Sequence, residues 1–380
     1  MRVLHVITGL AAGGAETQLR LLIAHSEADA DVVALYNAAS VAEQLRADGV
    51  GVTDLGMRRN TQLGAVLRLA RLIRRGRYDV VHTHLYRACL YGRLAARLAG
   101  VGRIVATEHS LLDDQLEGRP ATRGVRLLYR VGERCGDVTI AVSEAVRANL
   151  LRWGVRPERL VTVPNGLDLD ALAFDPEARA AVRAGLGIAG SATVVGAVGR
   201  LHPGKRFDVL LTALAPALGR DRHLLVVGDG PEHDRLARLA QELDVADRVH
   251  LVGEQPVGPY LSAMDLLVSP SLYETFGLAV LEALAAGLPV LYRRCPALAE
   301  LGTEVPGAGP LPEDDAELAA AVEKALAAPP ADRARPAALD RLDVAAVAAR
   351  VVGVYAGIDR RAARSSARRR LRLPAPRNTP

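Results

Sequence analysis

Two carboxylates, Glu274 and Glu282, stand eight residues apart in Glu274-Thr-Phe-Gly-Leu-Ala-Val-Leu-Glu282. Paired carboxyls do acid–base and nucleophilic work, and in glycosidases they stand ~5–9.5 Å apart. Eight helical residues rise about 12 Å, so a pair on one helix would touch two parts of a long ligand. Phe276, Gly277 and Leu278 fall where that helix should begin, and the free amides of a helix N-terminus favour anions. Taken alone, the same positions also suit a helix-capping acid and a solvent-facing glutamate.

A second group lies upstream in Gly199-Arg-Leu-His-Pro-Gly-Lys-Arg206. Arg200 and Lys205, five apart beside glycines where a strand gives way to a helix, suit a diphosphate clamp. A solvated basic loop would read the same way. Of 48 basic residues only Lys205 and Lys324 are lysines, so a compact ammonium at 205 stands out in an arginine-writing chain. Near the start, Gly13-Gly14-Ala15-Glu16 closes an apolar run and opens a helical pattern. Glycine there lets a ligand approach backbone, although the dinucleotide pattern G-x-G-x-x-G is absent and a plain tight turn fits too. His109, in Thr107-Glu-His-Ser110, ends a further strand pattern.

The elements that must position these residues alternate. Val3–Thr8, Val32–Tyr36, Val80–Thr83, Arg103–Ala106, Val138–Val142 and Leu160–Val163 read as strands, with helical patterns such as Glu16–His25, Leu63–Arg75 and Tyr91–Ala99 between them. Pro164-Asn165-Gly166 is a turn, and the alanine-rich segment 167–192 reads as helical. The alternation then restarts through Val194–Gly199, His223–Val227, Val249–Val252, Asp265–Ser269 and Leu288–Leu291. We therefore expect an α/β chain of two Rossmann-like, doubly wound parallel-sheet domains, residues 1–170 and 171–345, facing across a cleft. A helix over 346–359 follows, and 360–380 reads as a disordered basic tail.

Residues 1–172 carry 23 basic and 18 acidic side chains, 173–359 carry 17 and 25, and 360–380 carry eight arginines and no acid. The net +5 thus belongs to a basic tail and a mildly basic first half set against an acidic second half. Only 3% of residues are aromatic, too few for single-strand stacking platforms, and nucleic acid is not an expected partner. Three scattered cysteines predict neither disulfides nor a zinc site, and a reducing cytoplasm fits. The N-terminus reads as a strand rather than a signal peptide, and no apolar run reaches the ~20 residues of a membrane span.

The E-x7-E pattern of Glu274 and Glu282 with Phe276-Gly277-Leu278 resembles the retaining enzymes of glycosyltransferase family 4, which have the GT-B fold. Arg200–Lys205, Val163-Pro-Asn-Gly-Leu-Asp168, Val227-Gly-Asp-Gly-Pro231 and the N-terminal Gly-Gly-Ala-Glu are similar to the same family in the same order, over roughly residues 1–355. The resemblance implies transfer of a hexose-type sugar from a UDP- or GDP-linked donor, with its anomeric configuration kept. Arg200 and Lys205 would hold the diphosphate, Glu274 the sugar hydroxyls, and Glu282 both ribose hydroxyls. Backbone at Phe276, Gly277 and Leu278 would meet sugar or phosphate, Gly14 would meet the donor phosphate or acceptor, and His109 would lie near the donor sugar. It also implies a front-face displacement with no cofactor and no metal, in which the leaving phosphate takes the acceptor proton, and a C-terminal helix crossing back to the first domain.

Two departures stand out: Leu291-Tyr-Arg-Arg-Cys-Pro-Ala-Leu298 replaces a glycine-rich loop, and Thr275 replaces a frequent glycine. For the acceptor, residues 51–100 hold ten arginines against two acids, and Leu63–Arg75 is amphipathic. That suits peripheral association with an anionic membrane, at the inner face of the plasma membrane, and a glycan or lipid-linked acceptor such as a polyprenyl-diphosphate oligosaccharide. A core-facing helix with a solvated arginine face would look alike. The rival activities are a GT-B sugar-nucleotide epimerase, a glycosyltransferase of a secondary-metabolite pathway acting on a small molecule, and a non-catalytic binder.

Overall fold

A computed structural model describes residues 1–59, 62–112, 115–117, 119–302, 304–328 and 332–370. Strands β1 (Arg2–Ile7), β2 (Asp29–Ala34), β3 (Gly51–Asp54), β4 (Val80–His84) and β5 (Ile104–Glu108) build most of the first sheet. A small antiparallel excursion follows, β6 (Leu111–Leu112), β7 (Gln115–Leu116) and β8 (Arg119–Pro120), before β9 (Val138–Ala141) and β10 (Leu160–Thr162). The first sheet is parallel in the order β10-β9-β5-β4-β1-β2-β3.

The second sheet comprises β11 (Thr193–Val198), β12 (Arg222–Val227), β13 (Val249–Leu251), β14 (Leu266–Ser269), β15 (Val290–Tyr292) and β16 (Ala308–Pro310). It is parallel too, in the order β13-β12-β11-β14-β15-β16. These are the two Rossmann-like sheets of a GT-B fold.

Helices α1 (Gly14–Ala24), α2 (Ser40–Ala47), α3 (Gly64–Gly76), α4 (Tyr86–Ala99), α5 (Arg123–Glu133) and α6 (Glu144–Arg152) surround the first sheet. Around the second lie α7 (Pro176–Gly185), α8 (Phe207–Leu214), α9 (His233–Glu242), α10 (Val257–Ala263), α11 (Leu278–Ala285), α12 (Pro296–Leu301) and α13 (Leu318–Leu326). Because helices cover both faces, β4 is buried at every residue, as a two-sided parallel strand must be. Alternation sorts the faces. Leu4, Val6, Val33 and Val81 pack under α3 and α4, whereas Val3, Val80 and Val105 pack against the last helix.

That helix, α14 (Val344–Arg370), returns to the first sheet, burying Val347, Val351, Tyr355 and Ile358 there. It outruns the expected span 346–359 and carries helix into the arginine-rich segment. Alanine and arginine are both strong helix formers, which the charge-based reading of disorder had ignored. Residues 371–380 of the expected tail lie outside the described residues. The chain crosses between domains twice, and the crossings bond to each other: Leu167 N donates to Leu342 O at 2.7 Å and Val344 N to Leu167 O at 2.9 Å.

In segment 167–192 only Pro176–Gly185 is helical, capped by the Asp175 carboxylate. The edge strands β3 and β16 lack the apolar runs that marked the others. Among the described residues, no helix is long and apolar enough to cross a membrane.

Candidate functional site

The second domain's cation loop is shaped by glycines opposite it. Beyond β11, Gly199 N donates to Val227 O and Leu201 N to Asp229 O, both at 2.9 Å. The loop therefore runs directly over Gly228 and Gly230. A Cβ at Gly228 would sit 2.1 Å from Gly199 O, and one at Gly230 2.4 Å from Leu201 O. Only glycine fits both spaces and, at Gly228, the φ of +132°.

A 3-10 turn over Pro203–Lys205 then aims Lys205 so that its Nζ donates to Glu274 Oε1 at 2.5 Å. The next residue, Arg206, in the left-handed region at φ +56°, donates to Asp315 Oδ1 at 3.0 Å, the same oxygen that buried Arg293 bonds at 3.0 Å. Arg206 foremost, with Arg293 after the opposing desolvation, holds the Asp315 carboxyl below its ordinary range. The Arg293 departure from a glycine-rich loop is thus spent on bracing the Lys205 loop.

Gly277, at φ +99°, caps α11, and a Cβ there would lie 2.4 Å from Cys295 Sγ. Cys295 in turn donates weakly to Phe276 O at 3.4 Å, so the loop into α11 rests on the same Leu291–Leu298 segment. No acid occupies the first turn of α11, which leaves its amides and dipole for an external anion. Gly14 approaches from the first domain, and its missing Cβ would be 3.1 Å from Leu278 Cδ1. The N-termini of α1 and α11 therefore meet. Glu282 lies one turn further along α11, partly exposed. Desolvation pushes its carboxyl up to about 7, with Lys205 pulling the other way.

On the first-domain side, desolvation raises Glu16 to about 7 against its own backbone N–H and the Arg200 guanidinium. Arg200 itself is exposed. His109 O accepts from Thr275 Oγ1 at 2.7 Å, and Ser143 Oγ donates to Thr275 O at 2.7 Å. A third link runs from Glu144 N to Glu300 Oε1 at 2.7 Å. Thr275 thus uses the hydroxyl that a glycine would lack to join the domains. The His109 ring hydrogen-bonds His84 at 3.3 Å, and His84 hydrogen-bonds His5 at 3.1 Å. Burial lowers His109 to about 4, so the ring is neutral at pH 7; its Nδ1 is buried without a partner.

Among the described residues, His5, His82 and His84 form a group whose ligand atoms lie within 4.8 Å of one another. Both ring nitrogens of His82 and of His84 are already engaged, the former with Tyr355 OH and Thr107 Oγ1 at 2.7 Å each. Two Asp-x-Asp triplets also occur in the sequence. Asp31 of Asp29-Ala30-Asp31 accepts from Arg2 and Tyr78 on the first sheet. Asp168 of Asp168-Leu169-Asp170 accepts from Ala171 N in a turn.

The structure therefore gathers Lys205, Glu274, Glu282, Phe276–Leu278 and Gly14, and joins His109 to them through Thr275. Sequence reading missed Glu16, Ser143 and the bridging role of Thr275. The first was visible only as part of a glycine motif, and the other two act through partners more than 130 residues away.

Comparison with known proteins follows the same division. Residues 12–171 match the family model described as Glycosyltransferase Family 4, and 192–328 match the model Glycosyl transferases group 1. The chain is 33% identical over 316 residues to D-inositol 3-phosphate glycosyltransferase 2 of Catenulispora acidiphila, covering 74% of this chain and 70% of that protein. It is 35% identical over 240 residues to the D-inositol 3-phosphate glycosyltransferase of Streptomyces scabiei, 57% of this chain but only about half, 53%, of that protein's length. The crystal structure of Anabaena Alr3699/HepE in complex with UDP-glucose has the same fold, with a TM-score of 0.80 at 24% identity, covering 94% of this chain and 100% of that one. By identity and coverage together, the chain belongs to glycosyltransferase family 4.

Proposed function

We propose that this chain transfers a hexose-type sugar, with retention, from a UDP- or GDP-linked donor to an acceptor hydroxyl. One observation carries the reading: Lys205 and the N-termini of α1 and α11 converge beside Glu274 and Glu282. The first turn of α11 carries no acid, and Lys205 keeps protons beyond the one it gives Glu274, an arrangement that suits a diphosphate flanked by polyols. Lys205 has three protons, so it keeps Glu274 while donating to phosphate. Arg200 closes the diphosphate from the exposed side. Glu274 takes sugar hydroxyls, Glu282 takes the ribose diol, and neutral His109 offers a ring nitrogen near the sugar. The departing phosphate oxygen accepts the acceptor's proton on the face it leaves.

The acceptor we propose is lipid-linked and met at the cytoplasmic face of the plasma membrane, in keeping with the arginine-rich first domain. The names of the relatives make an inositol phosphate the second acceptor to test. Release of UDP, GDP or ADP from a donor panel, with membrane lipid extract, with inositol phosphate and with neither, tests the function. No acceptor-stimulated release with any donor would overturn it.

In this reading Lys205, Arg200 and the α11 amides neutralise the phosphate charge that a divalent ion would otherwise carry, so turnover is expected to be unchanged in EDTA. Complete loss on chelation, restored by magnesium or manganese, would contradict this.

Glu282 gives a pH signature. Burial pushes its carboxyl up to about 7, and only the ionised form is a full acceptor for two hydroxyls. Donor KM is expected to be flat above about pH 8 and to rise below 7, toward a limit of about tenfold per unit. Glu282→Gln should show a raised KM with that limb removed. A limb that persists in Glu282→Gln would assign it to another group, Glu16 first.

A further inference from the structure

We infer that the outer face of α3, α4 and α5 is a docking surface for an anionic lipid bilayer. Among the described residues, nine large hydrophobic side chains are exposed, and seven of them lie on these helices or at their start. Leu63 precedes α3 and Leu67 lies on it, Leu94 and Leu98 lie on α4, and Leu127, Leu128 and Val131 lie on α5; the four-residue steps 63–67, 94–98 and 127–131 keep each set on one side of its helix. The helices are neighbours. Arg74 of α3 donates to Leu98 O at 2.7 Å, and a Cβ at Gly132 of α5 would come within 2.9 Å of Leu90 on α4. Exposed apolar groups scattered singly need no explanation; a cluster shared by three adjacent helices does.

The surrounding charge identifies the occupant. Residues 58–77 hold seven arginines and no acid, and residues 118–132 hold four arginines and no acid. Arg68, Arg71 and Arg75 on α3, Arg123 and Arg130 on α5 and Arg134 just beyond it are exposed. Arg68, Arg71 and Arg75 also wall an open groove of about 750 Å³ against β2 and β3, floored by Leu4 and Leu72, where the one acid, Asp31, is already held by Arg2 and Tyr78. A second copy of this face would set arginine against arginine. Nucleic acid would use the arginines and leave the leucines in water. A bilayer with anionic headgroups over hydrocarbon satisfies both sets.

The inference deepens the reading of a membrane-held acceptor and is tested apart from it. Full-length protein, Leu127→Ser/Leu128→Ser and Arg71→Gln/Arg75→Gln are cosedimented with phosphatidylcholine vesicles with and without phosphatidylglycerol, at low and high salt. At low salt each double variant should bind anionic vesicles roughly tenfold or more weakly. Donor hydrolysis without acceptor should match the unaltered protein, which shows the fold and the catalytic cleft to be intact. High salt should weaken the unaltered protein most. Binding of both variants equal to the unaltered chain at low salt overturns the inference. So does loss of binding only on deleting 360–380, or a leucine variant that changes oligomeric state while holding vesicles normally. Each of these leaves the proposed transfer activity standing.

Discussion

Lys205→Ala should lower kcat by about 10²–10³, the loss typical when one preorganised donor to developing charge is removed. The ammonium bonds Glu274 at 2.5 Å with a quarter of its side chain still exposed, so in the proposed site it can hold phosphate and carboxylate together. Removing it strands Glu274 as an uncompensated anion beside an incoming diphosphate. Arg200→Ala should act in the same direction. Lys205→Arg should fail to rescue, because the lysine stem lies along Gly199, where a missing Cβ would be 3.4 Å from Lys205 Cε. A planar guanidinium cannot take that path and keep Glu274. Thermal unfolding should be nearly unchanged in all three, which separates lost chemistry from lost fold. Turnover of Lys205→Ala within twofold of the unaltered enzyme would remove the clamp from the mechanism.

Gly228→Ala should be damaging for the opposite reason, by way of the fold. The new methyl would meet backbone, Gly199 O at 2.1 Å and Gly199 C at 2.9 Å, so no rotamer change relieves it. Strain at φ +132° adds to the overlap. Together these predict a loss of about 2–4 kcal/mol in stability, and turnover should fall as well because the displaced loop carries Arg200 and Lys205. Gly204→Ala is the control. Its Cβ would meet only His202 Nδ1, at an ordinary 3.6 Å, so its melting temperature should match the unaltered chain. Equal melting of the Gly228 and Gly204 variants would show that the close approach is not rigid.

Much of this site was legible because its parts are contiguous. Glu274, Phe276–Leu278 and Glu282 share one loop and one helix, and Arg200 and Lys205 share one loop, so spacing alone kept each group together. The alternating strand and helix periods likewise exposed both parallel sheets. What escaped has a common cause, dependence on register and tertiary pairing. His5 faces His82 only because β1 and β4 align them, and Tyr355 reaches His82 across 273 residues. Alanine content suggested helix through 167–175, yet Asp168 turns that segment and Asp175 starts the helix only at Pro176. Leu127, Leu128 and Val131 were unreadable for another reason. Apolar periodicity implies burial, and on α5 Leu127, Leu128 and Val131 point outward while Tyr129 points in.

The paired crossings at Leu167 and Leu342–Val344 have a mechanical consequence. A single tether would let one domain swing and twist freely over the other. Two strands bonded side by side resist torsion, which leaves one easy motion, rotation about the line they share. Ser143–Thr275, Thr275–His109, Glu144–Glu300 and Ser40–Glu254 then link the two domains across the cleft. Four such hydrogen bonds, each worth about 1 kcal/mol net, resist its opening. Such a latch is weak enough to part in every cycle. Parting it would carry Gly14 away from Leu278, so in the proposed reaction one movement would both open the phosphate site for release of spent nucleotide and readmit donor.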